Sequence, residues 1–449
     1  MRTNEKIVVR IPPSPTGFFH VGRARTALFN YLFAKKSKGK IIFRIEDTDR
    51  ERSKEEYEKD IIESLEWLGI KYDEGPERQS EHGEIYKKYI QQLISEDRAY
   101  ISVENEGQNK EVVRFKNPNR IVAFDDLIRG TITFDSTELG DFIIARNINQ
   151  PVYHLAVVVD DFNSGITHII RGDDGIANTP RQILIQEAIG APRPKYAHVP
   201  LILAPDKSKM SARHGAVSLR DFRLQGYLPE TMVNFLALLG FNPGGEREVY
   251  TLEELVDVFD LSKVQKSGAI FNTEKLDWFN KEHMKLMSEE ARNKEIYNRL
   301  KNNLLLSKFE KLNDEKFVSR LFPIIFDHIS KWGDIDEMVK VGELSYYFER
   351  PKYDKKLLFW KGKISDDAKK HLEWIQSTLN VATDNVFKDP GEIKSLIFGY
   401  ATEHGRGEVL WPLRVALSGK DKSPDPFTLL HIFGREESFL RIHDAIKKL

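Results

Sequence analysis

Between Arg10 and Thr26 the chain reads RIPPSPTGFFHVGRART, a proline-rich turn carrying two glycines, a histidine and three arginines. Glycines let a backbone approach a phosphate closely, and a helix starting there adds unpaired N–H groups and a partial positive charge. A histidine so placed can donate a hydrogen bond to a phosphoryl oxygen as charge builds on it. His20 is the candidate for that role; an exposed histidine on an ordinary turn is the plain alternative. Three further groups of residues carry chemistry. Arg44-Ile-Glu46-Asp47-Thr48-Asp49-Arg50 gathers three carboxylates and two guanidinium groups, suited to an ammonium and to charged ligand groups. The same spacing would serve a metal ion or a structural ion-pair network. Tyr153 and Arg171 open and close two runs that end in Asp160-Asp161 and Asp173-Asp174, although a tyrosine alone is more often a core aromatic. Pro205–Gly215 (PDKSKMSARHG) sets Lys207, Lys209 and Arg213 on a glycine-bounded loop, where cations could clamp a polyphosphate or simply be solvated.

Such residues need elements to bring them together. Lys6–Ile11 and Lys40–Ile45 are β-branched runs that predict buried parallel strands, with an apolar helix from about Gly22 to Lys36 between them. This strand–loop–helix–strand order begins a doubly wound α/β domain, whose ligand crevice lies where strand hands over to helix. Ser53-Lys-Glu-Glu56 predicts a capping box for the helix that follows, and Asp73–Pro76 a break before another helix ending near Asp97. Thr131–Phe134 and Phe142–Arg146 predict strands of a small β-containing insertion, while Ser102–Lys110 reads as loop. The sheet is expected to resume with strands at Tyr153–Val159 and Thr167–Arg171, then a helix capped by Thr179 with Pro180 first and Gly190 at its end. From Pro229 the pattern is helical, with a capping box at Thr251–Glu254 and a domain boundary near 290–310.

Composition narrows the classes. The 449 residues include 68 basic and 69 acidic side chains and no cysteine. That length favours several domains. The missing cysteines exclude disulfides, thiolate metal sites and a thiol nucleophile. A net charge of −1 means that any anionic partner must be met by local basic clusters. The N-terminus lacks the apolar core of a signal peptide, and no run approaches the roughly 18 residues of a membrane span. A cytoplasmic protein without a membrane partner is expected, and no heptad pattern or exposed apolar helix calls for more than a monomer.

The four groups together resemble the signatures of class I aminoacyl-tRNA synthetases, in the form found in glutamyl-tRNA synthetases. Arg10–Thr26 is similar to that family's HIGH signature, Arg44–Arg50 to its R-I-E-D-T-D string, and Lys209–Gly215 to its KMSKS loop. The resemblance implies an α/β Rossmann-like catalytic domain with a small β-containing insertion, followed by all-α C-terminal domains. It assigns 1–100 and 151–205 to the two halves of the catalytic domain and 101–150 to an acceptor-stem-binding insertion. Residues 206–300 become the loop and helical stem-contact region, and 301–449 a helical anticodon-binding region of bacterial type. It implies glutamate binding by Arg10, Ser14, Glu46, Tyr153 and Arg171, with Arg10 on the side-chain carboxylate, Glu46 on the amino group and Arg171 on the α-carboxylate. ATP, arriving with Mg2+, would meet Thr16, Gly17, His20, Gly22, Asp174, Lys209 and Met210. His20, Lys209, Ser211 and Arg213 would stabilise phosphate charge. The implied reaction is ATP-dependent joining of glutamate to tRNA(Glu) through glutamyl-adenylate. Where the loop usually has its second lysine this chain has Ala212, so the alternative is a synthetase-like tRNA-binding or regulatory protein with weakened activation chemistry. Residues 101–104 (ISVE) stand where many relatives carry a cysteine-bearing zinc element, so zinc is not expected.

Overall fold

The computed structural model describes residues 6–104, 111–211, 213, 215–362 and 367–449. They form two compact units, one ending at His283 and the other beginning at Met284.

In the first unit, β1 (Val8–Ile11), α1 (Val21–Lys36), β2 (Lys40–Ile45), α2 (Glu55–Trp67) and β3 (Glu74–Arg78) build a parallel sheet in the order β1-β2-β3. Every residue of β2 after Lys40 is buried, as a strand covered on both faces requires. Next come α3 (Gly83–Ser95) and six strands: β4 (Ala99–Val103), β5 (Glu111–Phe115), β6 (Ile121–Asp126), β7 (Gly130–Asp135), β8 (Phe142–Asn147) and β9 (Gln150–Pro151). Four of these pair antiparallel as β4-β5-β8-β9, while β6 and β7 form a hairpin. The chain then returns through α4 (Tyr153–Asn163), β10 (His168–Gly172), α5 (Thr179–Ala188) and β11 (Lys195–Val199). β10 and β11 run parallel, and β11 meets β6 at Tyr196 and Asp126. Thr167 joins the two parts: its amide donates to the Val8 carbonyl at 3.0 Å, and its Oγ1 accepts from the Val8 amide at 2.9 Å. The strand order therefore reverses between β1 and β10, and their carboxyl ends flank one crevice, the place where open α/β sheets bind ligands.

Five local expectations need correction, the first being that Ser102 and Val103, read as loop, end strand β4, while 105–110 lie outside the described residues. Tyr153–Val159 is the start of helix α4 and not a strand. Leu155 to Asp161 are all buried, with α3, α5 and β8 packed round them. An unbroken apolar run fits a helix enclosed on all sides as well as a two-faced strand. Ser53 does not cap α2; the cap position falls on Lys54, whose amide is tied to the Pro15 carbonyl at 3.0 Å. The cap of α5 is Asn178, so Thr179 is already helical and spends its hydroxyl on the Gly175 carbonyl. Asp73–Pro76 does not end the ordered chain, because the open edge of β2 takes Glu74–Arg78 as a third strand. The box at Thr251 does form, with Thr251 Oγ1 accepting the Glu254 amide and Glu254 Oε2 the Thr251 amide.

Among the described residues the second unit is all helical. Its main helices are Glu289–Asn302, Asp367–Val381, Pro390–His404, Arg406–Ser418 and Pro426–Lys448. Leu372, Leu379, Ile397, Leu413, Leu430 and Ile442 are fully buried in it. The last helix is broken at Gly434, where φ is 68°. Arg320 Nη1 satisfies the carbonyls freed there, His431 at 3.2 Å and Ile432 at 3.0 Å.

Candidate active site

A cleft of about 630 Å3 opens at the carboxyl ends of β1 and β10. Arg10, Ser14, Thr16, Gly17, His20, Gly22, Glu46, Tyr153, Arg171, Asp174, Lys209 and Met210 all line it. Ser211 and Arg213 are not part of that lining, and Arg213 donates to the Ser208 hydroxyl at 3.1 Å. Ala212 lies outside the described residues.

The cleft has a cationic wall held by buried carboxylates. Arg10 is 1% exposed, and its Nε reaches both oxygens of Asp161 at 3.3 Å. Asp161 also accepts from Arg44 Nη1 at 2.6 Å, while the neighbouring Asp160 accepts from Gln79, Tyr86 and His82. With Nε anchored, Arg10 Nη1 remains buried without a hydrogen-bond partner, and so does Glu46 Oε1. Burial pushes the Glu46 carboxyl up to about 7, against the pull of Arg10 and Arg44. An unsatisfied buried donor and acceptor are costly unless a ligand supplies partners. A carboxylate on Arg10 and an ammonium on Glu46 would satisfy both.

The histidine is set by the helix that follows it. His20 is the N-cap of α1, and its Nδ1 accepts the Gly22 amide at 3.0 Å. With Nδ1 as acceptor the proton sits on Nε2, so the ring presents a donor. Burial, then Arg23 and Lys209, lower its pKa and keep it neutral. Arg23 and the Pro200–Ile202 segment complete this end of the cleft, and Arg23 Nη1 binds the Ser14 carbonyl at 2.6 Å. Lys209 Nζ stands 3.9 Å from Asp174, and both side chains are well exposed, as a cation awaiting a mobile anion would be.

Arg171 is more constrained. Its Nε donates to His198 Nε2 at 3.1 Å, Nη1 to Gln182 at 2.7 Å, and Nη2 to the Gly175 carbonyl and Thr179 at 3.0 and 2.6 Å. A guanidinium has five N–H groups, so one on Nη1 is left for a ligand.

Comparison with known proteins decides the family. The family described as "tRNA synthetases class I (E and Q), catalytic domain" matches residues 6–108 and 101–278, and "Anticodon binding domain" matches 295–446. A glutamate–tRNA ligase of Carboxydothermus hydrogenoformans is 38% identical over 97% of this chain and 98% of its own. One of Aquifex aeolicus is 37% identical over 99% of each chain. The chain belongs to the glutamate–tRNA ligase family of class I tRNA synthetases. A crystal structure of a glutamate–tRNA ligase from Elizabethkingia meningosepticum, in complex with its amino acid, superposes with a TM-score of 0.86 at 30% identity, covering 99% of this chain and all of that one.

For a glutamate–tRNA ligase family member, the expected α/β catalytic domain and all-helical C-terminal part are both present. Three contributors have no role assigned from the sequence. Arg23 was in plain view inside the histidine string but had no assigned role. Asp161 and His198 act from strands and helices far along the chain, and only their burial beside arginines gives them away. The acidic pair that ends the apolar run VVVDD marked Asp161 in the sequence, but gave it no partner.

Proposed function

We propose that this protein is a glutamate–tRNA ligase, carried above all by two unsatisfied buried atoms of the cleft, Arg10 Nη1 and Glu46 Oε1. Together they fit an amino acid whose side chain ends in a carboxylate, and an arginine fork prefers a carboxylate over a carboxamide. A glutamate α-carboxylate oxygen attacks the α-phosphorus of ATP, the bond to the bridging oxygen breaks, and pyrophosphate leaves. A hydroxyl at the 3′ end of tRNA then attacks the glutamyl carbonyl, the bond from that carbon to the phosphate oxygen breaks, and AMP departs with its phosphate accepting the hydroxyl proton. His20 Nε2–H and Lys209 stabilise phosphate charge and exchange no proton with the reacting groups. Mg2+ enters with ATP as part of that substrate. Among the described residues, no cluster of three His, Asp or Glu side chains could hold a metal ion.

The anticodon-binding match at 295–446 supports 301–449 as the anticodon-binding region, and within the catalytic part 101–150 is assigned here as the acceptor-stem-binding insertion and 206–300 as loop and stem contact. A monomeric, cytoplasmic enzyme acting in translation is the corresponding setting. No observation favours a tRNA-binding protein without activation chemistry. The test is charging of purified tRNA with labelled glutamate. Charging of tRNA(Glu) is expected, and intact tRNA binding without any charging would overturn the reading.

A further inference from the structure

The hairpin β6–β7 lies outside the cleft lining, yet its Asp126 is joined to the cleft through a single buried histidine. Asp126 Oδ2 accepts the His198 amide at 3.0 Å and His198 Nδ1 at 2.7 Å. Its Oδ1 accepts the amides of Ile128 and Arg129, both at 2.9 Å, which fixes the carboxylate in place. His198, on β11, is fully buried, and burial lowers its pKa so that it stays neutral. A carboxylate opposite Nδ1 requires the proton there, which makes Nε2 an acceptor. That acceptor meets Arg171 Nε at 3.1 Å, with Thr179 Oγ1 beside it at 3.2 Å. The guanidinium is further packed over Gly175, where a side chain of any kind would collide with it. Of these residues only Arg171 and Gly175 line the cleft; Asp126, Thr179 and His198 stand behind them.

We propose that Asp126 and His198 are positioning residues for amino-acid recognition: Asp126 fixes the His198 tautomer, and His198 Nε2 holds Arg171 so that its one remaining Nη1–H is offered to the amino acid in the cleft. The proposal rests on the functional reading above. It makes a residue of the insertion a determinant of glutamate affinity without contact with glutamate.

Asp126→Asn tests it. The carboxamide Nδ2 opposite Nδ1 drives the proton to Nε2, which then meets the Arg171 Nε–H donor to donor. In tRNA glutamylation the KM for glutamate is expected to rise about tenfold or more, with the KM for ATP and kcat at saturating glutamate within about threefold of wild type. Two variants at 198 separate the ends of the histidine, and they decide the matter if Asp126→Asn does not fold. His198→Gln places an acceptor near Nε2 and is expected to keep the glutamate KM close to wild type. His198→Asn keeps only the donor toward Asp126 and is expected to raise that KM as Asp126→Asn does. Equal rises in both KM values, an unchanged glutamate KM in folded Asp126→Asn, or indistinguishable Gln and Asn variants would each overturn the proposal. If the wild type charges no tRNA, the functional reading has failed; if it charges normally, only the positioning role is at stake.

Discussion

Replacing Arg10 by lysine keeps a positive charge in the cleft while removing the guanidinium fork. In the wild type, Nε is engaged with Asp161 and Nη1 is left for a substrate carboxylate, two tasks that one ammonium cannot perform together. The lysine is expected to settle on Asp161, leaving the glutamate side chain without its partner. Asp161 retains Arg44 Nη1 at 2.6 Å, so the framework survives and the melting temperature should stay within about 3 °C. Losing a hydrogen bond between charged groups is worth about 1.5–3 kcal/mol, or about 10- to 150-fold in kcat/KM for glutamate. Initial rates of tRNA glutamylation at varied glutamate and saturating ATP measure it, with the KM for ATP as the internal control. A folded Arg10→Lys enzyme whose kcat/KM for glutamate lies within about threefold of wild type would refute the reasoning, because the orphan Nη1 would then have no substrate to serve.

Other consequences can be measured in the same assay. His20→Asn keeps a capping acceptor for α1 but loses Nε2–H, so kcat should fall about 10²-fold with stability nearly unchanged, whereas His20→Ala should also lose about 1 kcal/mol of stability, read by thermal unfolding. Glutamate binding needs the ionised Glu46, whose pKa is about 7 in the empty site, so kcat/KM for glutamate should fall as pH drops below 7; a flat profile from pH 6 to 8 would contradict this. The folded carboxyl titrates above its ordinary 4.5, so stability is lost as pH rises from about 4.5 to about 7 and stays low above it, and Glu46→Gln should melt higher than wild type at pH 8 while charging poorly. Lys209→Ala should lower kcat about 10²-fold, and Ala212→Lys should raise it; an unchanged rate in the latter would show that Lys209 or another loop cation already makes the phosphate contact.

What the sequence disclosed was local. The turn from Arg10 to Thr26 contains its own helix start, and His20 caps α1 through Gly22, two residues away. The strands at Lys6–Ile11 and Lys40–Ile45 were legible because both faces are buried and the pattern is unbroken. The same unbroken pattern misled at Tyr153–Val159, where burial on all sides produced a helix. β6 shows the strict in–out alternation of a half-buried strand, but Ile121–Asp126 ends in two acids and was given no assignment from the sequence. Arg10 with Asp161 and Arg44 with Asp161 are pairings across 151 and 117 residues, and no spacing rule reports them. The choice of Lys54 over Ser53 as cap was decided by its amide bond to Pro15, a contact of the folded loop.

The junction of β1 with β10 also bears on how the chain comes into being. Val8 and Thr167 are 159 residues apart, so a ribosome making 5–20 residues per second takes about 8 to 30 seconds between them. During that interval the β1 edge of the first sheet has no neighbour, and its Val8-Val9-Arg10-Ile11 backbone is open to wrong pairing. Arg10 and Arg44 meanwhile wait for Asp161, so two guanidinium groups destined for the interior have no counter-charge until the insertion has been made. The growing chain is therefore most in need of protection by chaperones before the half that closes its own active site has emerged.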